Sequence, residues 1–273
     1  MKVIVYGAGI SGRGAAEVLA KQHEQVFIYN DSSCTLPQEL SALLKENNGG
    51  LIIGSENWSA LLEEAGLLVL SPGIPTDNKN VLQAAAQNIK IISEVELGYK
   101  NYPGHMAAIT GTNGKTTTTT IVGEMFKKLS VPSRVGGNIG LALSKEVENL
   151  PAEAWFAAEL SSFQLEKVET FAPDIAAVLN LTPDHLDRHH TMEAYGEAKK
   201  NIFRLQTPDK YTVLNYDDPI VKTWAKDTRG QVCFFSRKVQ LKQGVFMREG
   251  DFVIKWKDTE QVVCNIKDVK LFG

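Results

Sequence analysis

Two glycines three residues apart, followed at once by a lysine and a row of threonines, restrict this chain more than any other feature. The stretch is Thr110-Gly111-Thr112-Asn113-Gly114-Lys115-Thr116-Thr117. An apolar run from His105 to Ile109 precedes it, and an apolar-periodic segment from Ile121 to Leu129 follows, giving the order strand, loop, helix. Glycines let backbone N–H groups approach phosphate oxygens, and a helix start adds partial positive charge. Lys115 is placed to reach terminal phosphates, and the Thr116 hydroxyl to sit on a magnesium ion. The common phosphate-loop pattern has a further glycine five positions before Gly114. That position is Ile109, so the motif is a shorter variant, Gly-x-x-Gly-Lys-Thr.

At 273 residues the chain can bury a large core, and its length suggests about two domains. A net charge of −3 with no block of Lys or Arg gives no footprint for nucleic acid. Cys34, Cys233 and Cys264 are scattered, with no Cys-x-x-Cys spacing. They read as free thiols in a reducing compartment, not as a disulfide framework or zinc site. The chain enters Val3-Ile4-Val5-Tyr6-Gly7 with no signal-peptide pattern, and no apolar run reaches membrane-spanning length. The expectation is a cytoplasmic protein, away from membranes, and a monomer.

Residues 2–6 form a β-rich run that ends in Gly7-Ala8-Gly9-Ile10-Ser11-Gly12, followed by a helical pattern through Ala15, Ala16, Val18 and Leu19. The next apolar run, Val26 to Tyr29, closes on Asn30-Asp31. This is a βαβ unit with a dinucleotide-type glycine fingerprint and an acidic residue near the distance of a ribose contact. Taken alone it predicts a nicotinamide or flavin dinucleotide, although any pyrophosphate over a helix start needs the same glycines. The bland alternatives are close helix–strand packing at Gly14 and a solvated turn at Asp31. Strand-like runs recur at Leu51–Ile53, Leu67–Leu70 (ending in Ser71-Pro72-Gly73-Ile74-Pro75) and Ile89–Ile92, with a helix over Val81–Ala86. Such alternation predicts an open parallel α/β sheet that binds ligands outside its strand carboxyl ends.

The turn-rich Asn101-Tyr102-Pro103-Gly104 marks a boundary, giving a Rossmann-like unit over 1–100 and a phosphate-loop α/β unit over 101–273. In the second unit Arg134-Val135-Gly136-Gly137-Asn138-Ile139-Gly140 precedes a buried-strand pattern, Trp155 to Glu159. Ser161 and Gln164 then have capping-box spacing. Ile175–Leu181 is a further strand leading to Thr182-Pro183-Asp184-His185-Leu186-Asp187. From about Lys210 the pattern turns β-rich, with runs at Tyr211–Asn215, Val232–Phe235, Val245-Phe246 and Phe252–Trp256. Glu249-Gly250-Asp251 is placed to join the last two as a hairpin.

Three residues of the second unit invite chemistry. Glu159, at a strand end beyond the phosphate loop, suits Mg2+, which prefers oxygen ligands; its alternative is a carboxylate satisfied by the helix start at Ser161. His185, flanked by Asp184 and Asp187, could face a metal as neutral imidazole. His189 and His190 read as loop residues before a helix. Lys199 falls on the apolar face set by Met192, Tyr195, Ile202 and Phe203, whereas Lys200 is rotated away and expected in solvent. Spacing alone favours Lys199 snorkelling outward.

Together these motifs resemble the Mur ligase family, ATP-dependent amide-bond-forming ligases of bacterial cell-wall synthesis. Within it the resemblance is strongest to the branch that adds D-glutamate to UDP-N-acetylmuramoyl-L-alanine. It rests on the phosphate loop, Gly7–Gly12, Leu70–Ile74, Gly136–Gly140, Glu159-Leu160-Ser161-Ser162-Phe163-Gln164-Leu165 and Asp184-His185-Leu186-Asp187-Arg188. The resemblance implies that the first unit holds the uridine diphosphate of the precursor and needs no redox cofactor. Ile10, Ser11, the Asn30-Asp31 pair and Gly73 would lie against that nucleotide, Asn138 against the muramoyl part, and Ser161 close by. It further implies ATP on residues 111–117, Mg2+ held by Thr116, Glu159, His185 and Lys199, and Lys199 as a carbamylated lysine. Position 30 is Asn where an acidic residue is usual, so the nucleotide contact is open between Asn30 and Asp31.

The family's ligases run to about three domains by size, and the third carries the amino-acid-binding residues. This chain ends at Val269-Lys270-Leu271-Phe272-Gly273, where that domain would begin. The expectation is a truncated form that binds the UDP precursor, and ATP weakly, without turnover. Two competing readings are a dinucleotide-sensing regulatory module without catalysis and a folylpolyglutamate synthetase-like ligase.

Overall fold

Val3 to Tyr6 are entirely buried, the mark of a central parallel strand covered on both faces. A computed structural model describes residues 1–270 and builds two sheets around such strands. Leu271, Phe272 and Gly273, to which the sequence assigns the approach to a third domain, lie outside the described residues.

The first sheet is laid down by β1 (Lys2–Tyr6), α1 (Ile10–Lys21), β2 (Gln25–Asn30), α2 (Gln38–Glu46), β3 (Gly50–Ile53), α3 (Trp58–Leu62), β4 (Ala65–Leu70), α4 (Lys79–Ala86) and β5 (Lys90–Ser93). All strands are parallel in the order β3-β2-β1-β4-β5. Alternate residues of β1 serve two cores. Val3 and Val5 pack under α1 with Ala15, Ala16 and Leu19, while Ile4 and Tyr6 pack with Tyr29 and Trp58 on the other face. The strand order reverses between β1 and β4, the crevice where open α/β sheets take ligands.

After α5 (Glu94–Lys100) come β6 (His105–Thr110), α6 (Lys115–Lys128), β7 (Ser133–Gly137), α7 (Leu143–Glu146), β8 (Trp155–Glu159), α8 (Ser162–Leu165) and β9 (Ile175–Val178). The chain continues with α9 (Leu186–His189), α10 (Met192–Lys200), β10 (Tyr211–Asn215), β11 (Gln231–Ser236), β12 (Gly244–Arg248), β13 (Asp251–Trp256) and β14 (Thr259–Asn265). The second sheet runs β14-β13-β12-β11-β10-β9-β6-β8-β7, with β6 flanked by β8 and β9. The expected hairpin is present. Arg248 pairs with Asp251, and the turn residues Glu249 and Gly250 have φ of 51° and 90°, the positive pair that a two-residue hairpin needs. β14 was not anticipated, because an exposed edge strand has no buried face to impose a period.

Gly14 corrects the sequence reading. A Cβ there would lie 2.4 Å from the Ala142 Cβ, so this glycine makes room for the segment leading into α7, not for a strand of its own sheet. On α5, Gly98 does the same for Leu143, whose Cδ2 would be 2.3 Å from an added Cβ. Two glycines thus let α7 settle against α1 and α5, with Lys21 reaching Glu148 at 3.0 Å across the seam.

Candidate functional site

Gly111 and Gly114 have φ of 153° and 83°, so the loop between β6 and α6 takes a path that other residues would strain. The loop is clamped from β9. The Asn180 Oδ1 accepts the N–H groups of Thr112 (3.0 Å) and Asn113 (2.8 Å), and its Nδ2 donates to the Asn113 carbonyl at 3.0 Å. Thr112 adds a second tie, its hydroxyl receiving the Thr182 N–H at 3.0 Å and lying 3.3 Å from the Tyr195 hydroxyl. Asn113, Gly114, Thr116 and Thr117 remain exposed at the helix start. With the Thr112 and Asn113 N–H groups taken by Asn180, it is the first-turn N–H groups from Lys115 to Thr117, at the start of a 14-residue helix, that are suited to phosphate.

Two amines meet beneath it. Lys115 donates to the carbonyls of Gly111 (3.1 Å) and Thr112 (2.8 Å), and Lys199 donates to the same Gly111 carbonyl at 2.9 Å. Lys199 is 1 % exposed, so the expectation that it snorkels outward is overturned. Its partners lie inside: the Thr110 hydroxyl at 3.4 Å and the Tyr195 ring at 4.6 Å. Burial, then the neighbouring Lys115 charge, lower its pKa to about 7. Lys200 is also corrected. It pairs with Glu197 and Asp227, each at 2.8 Å, instead of standing free in solvent.

Glu159 lies opposite Ile109 on the neighbouring strand and is 2 % exposed. Its Oε1 accepts the Asn138 side-chain amide at 2.9 Å, and Asn138 also donates its backbone N–H to the Glu159 carbonyl at 2.8 Å. Oε2 is buried with no hydrogen-bond partner. The helix start at Ser161 does not satisfy it, because the Ser161 N–H donates to Gln164 Oε1 in a closed capping box. A buried carboxylate oxygen left unpaired is costly. The chemistry of this position therefore fits a cation such as Mg2+.

His185 stands apart from Glu159. Its ring is half exposed, 3.5 Å from Asp184 Oδ2 and 4.8 Å from the Phe163 ring centroid. Tyr195 is the common neighbour of His185 (6.3 Å between centroids) and Lys199. Among the described residues no three His, Cys, Asp or Glu side chains gather as a metal-holding group. His189 is not a loop residue: it closes α9, is buried, and meets the Ser162 hydroxyl at 2.9 Å. Burial, then the Arg188 charge, lower its pKa to about 4.

The first sheet presents a second rim. Gly12 packs so tightly that a Cβ there would be 1.8 Å from the Gly7 carbonyl, whereas a Cβ on Gly9 would meet nothing within 4 Å. Ile10 is 67 % exposed, and Ser11 and Gly73 are also open to the rim. Asn30 is spent internally, accepting the Ala8 N–H at 3.1 Å and donating to the Ser32 carbonyl at 2.8 Å. Asp31 is no free turn residue: Tyr6 donates to one of its oxygens at 2.6 Å and Tyr29 to the other at 3.1 Å. Burial and that carboxylate raise both phenols, Tyr29 to about 12. Sequence reasoning passed over Asn180, Tyr195, Tyr6 and Tyr29. For Asn180 there was a signal, a polar residue directly after an apolar strand at the ligand-binding edge; for the tyrosines there was none.

Residues 109–270 match the family described as "Mur ligase middle domain", and residues 1–93 match "Mur ligase MurD-like, N-terminal domain". The chain belongs to the Mur ligase family. It is 43 % identical over its whole length to a UDP-N-acetylmuramoylalanine–D-glutamate ligase of Lachnoclostridium phytofermentans and 38 % identical to that of Thermoanaerobacter pseudethanolicus. In each case it spans 60 % of the relative's length. Among solved structures it resembles a UDP-N-acetylmuramate:L-alanyl-gamma-D-glutamyl-meso-diaminopimelate ligase from Neisseria meningitides, with a TM-score of 0.56 and 18 % identity. That likeness covers 92 % of this chain and 83 % of the other. It also resembles the UDP-N-acetylmuramate-alanine ligase MurC of Thermotoga maritima, with a TM-score of 0.51 and 20 % identity over 96 % of this chain and 60 % of that one. At such identities these likenesses bear on the fold, and the fold agrees: a parallel sheet and a mixed sheet, each with a parallel central strand, carry the two glycine loops of this family member.

Proposed function

We propose that this chain is the precursor- and ATP-binding part of a ligase that adds D-glutamate to UDP-N-acetylmuramoyl-L-alanine. Residues 1–100 would form the precursor-binding domain and 101–273 the ATP-binding domain. The observation that carries the reading is the setting of the loop at Gly111–Gly114. Exposed N–H groups lie above two convergent lysines, and beside them is a buried carboxylate with one unpartnered oxygen. A carboxylate and a γ-phosphate repel, and bringing them together needs concentrated positive potential held in place beforehand.

In the whole ligase the alanyl carboxylate would take the γ-phosphoryl group of ATP, releasing ADP. The D-glutamate amine would then attack the acyl phosphate carbonyl and expel phosphate. Lys115, drawn off the Gly111 and Thr112 carbonyls, would turn its charge to the phosphates. Mg2+, when bound, would screen the phosphate oxygens, with Thr116, Glu159, His185 and Lys199 proposed to hold it. Lys199 suits carbamylation because a pKa near 7 leaves much of its amine neutral. The amine adds to CO2 and loses a proton, becoming a carbamate anion fit for a cation.

On the first rim, Gly9 leaves space for a pyrophosphate, and Ile10, Ser11, Gly73 and Asp31 would surround the uridine part. Asn138 and Ser161 would face the sugar. Asp31 is the better nucleotide contact: it is exposed and its carboxylate keeps acceptor capacity beyond the two phenols, whereas both ends of the Asn30 amide are taken by Ala8 and Ser32. A cytoplasmic setting and a monomeric working form belong to the same proposal; the three cysteines are free, and among the described residues no helix is long and apolar enough to cross a membrane. Calorimetric titration with UDP-N-acetylmuramoyl-L-alanine, NAD and a folate in parallel tests the reading. Binding of the first alone is expected. Saturable NAD binding with no affinity for the UDP precursor would replace it with a dinucleotide sensor.

A further inference from the structure

Arg188 connects the two rims, and no step proposed above uses it. It sits on α9, three residues beyond His185. One guanidinium nitrogen donates to the Pro72 carbonyl at 2.9 Å, and the other to the Ile74 carbonyl at 3.0 Å and to Glu166 Oε2 at 2.8 Å. Its Cζ lies 4.4 Å from the Phe163 ring centroid, over the ring, and the Arg188 and Glu166 side chains are each 12 % exposed. Pro72 and Ile74 bracket Gly73, and their turn is tied to the first glycine loop by the Ser71 hydroxyl, which donates to the Gly7 carbonyl at 3.1 Å. One side chain therefore grips the β4 loop of the first sheet and the α8–α9 corner of the second.

That corner is held against its own preference. His185 and His190, at the two ends of α9, have φ of 52° and 65°. A positive φ is unfavourable for a residue with a side chain, and it persists only where neighbours over-determine it. Here the neighbours are Phe163, packed against Arg188, His185 and His189, and the His189–Ser162 contact at 2.9 Å. Arg188 is the one member of this set that also holds the first sheet's loop. A planar fork serving two carbonyls and a carboxylate while stacked on a ring is a task that lysine cannot copy.

We propose that Arg188 is a positioning residue that couples the two ligand sites, so that a uridine nucleotide seated at Gly73 strengthens the grip of the His185 corner on the magnesium nucleotide, and the reverse. The inference rests on the function proposed above. Coupling of this kind is reciprocal and is read as one common factor in the two affinities.

The test is calorimetry on the full chain, with uridine diphosphate and the magnesium complex of a non-hydrolysable ATP analogue, each alone and each with the other saturating. In the unaltered chain each ligand should tighten the other by the same factor, about tenfold. In Arg188→Lys each ligand alone should bind within about twofold of the unaltered chain while the factor falls to about one. Glu166→Gln leaves the fork on both carbonyls and should keep most of the coupling. If Arg188→Lys does not fold, Arg188→Gln keeps a planar amide at this position without the fork and carries the same expectation. A factor unchanged in the variant, or equal to one in the unaltered chain, overturns the coupling and leaves the functional reading intact. Failure of the unaltered chain to bind uridine diphosphate at all overturns both.

Discussion

Gly7–Gly12 and Gly111–Gly114 each leave the carboxyl end of a central parallel strand and each lead into a helix, yet they are held by different forces. The first loop is fixed by shape at Gly12, against the Gly7 carbonyl, and by single ties to Gly7 and Ala8 from Tyr29, Ser71, Asn30 and Arg13, none of them a buried amine. The second is fixed by polar clamps: Asn180 on two N–H groups, Thr112 on Thr182, and two lysines on one carbonyl. A loop held by sterics can stay open above, as the empty space over Gly9 shows. A loop held by buried charge is preorganised for an anion and carries an electrostatic cost when nothing offsets it. Under the proposed function, one motif type would thus serve a bulky nucleotide in one sheet and the reacting phosphates in the other.

The largest effect expected is at Lys199. Between about pH 7 and 10 the unfolded chain binds a proton that the folded chain does not, so this group's contribution makes stability rise with pH and becomes constant below about 7. Lys199→Met should abolish that slope, changing the difference between the two proteins by something on the order of 4 kcal/mol across the window. Urea denaturation at several pH values in CO2-free buffer reads it; parallel pH profiles for the two chains would mean that the lysine is not desolvated. Gly12→Ala attacks the steric loop and should cost about 3 kcal/mol, at the upper end of overpacking. A midpoint unmoved in denaturant would show that the loop yields.

Asn180→Ala attacks the polar loop, removing the amide that ties the Thr112 and Asn113 N–H groups and the Asn113 carbonyl, and should cost about 2 kcal/mol and weaken binding of the magnesium nucleotide. Equal nucleotide affinity in the variant would mean that the clamp is dispensable. The smallest effect on stability, within about 0.5 kcal/mol, is expected for Gly9→Ala, because the new methyl meets nothing in the free protein. It should nevertheless lower uridine diphosphate affinity measured by calorimetry. Retention of full affinity would show that no pyrophosphate passes over this glycine.

Much of this was legible in the chain. Glycine spacing, the strand-to-helix order and the apolar runs identified both βαβ units, because backbone geometry and burial on both faces act locally on sequence. Glu159 and His185 were legible as candidates for chemistry, since each is a polar side chain that follows an apolar strand-like run. Lys199 was half legible: its place on an apolar face was evident, but not whether the amine would escape. That depended on a carbonyl 88 residues away in the chain.

The sequence by itself determined two open α/β sheets, two phosphate-competent loops and the family to which they point, since these follow from periodicity and the conformational freedom of glycine. Tertiary structure alone decided the partnerships. It brought Asn180 onto the loop at Thr112, paired one Glu159 oxygen with Asn138 and left the other alone, spent Asn30 on the Ala8 N–H, and stretched Arg188 between the two sheets. Each of these is a contact between residues far apart in the chain, where distance and burial set whether a polar atom finds a partner, and no local pattern encodes that.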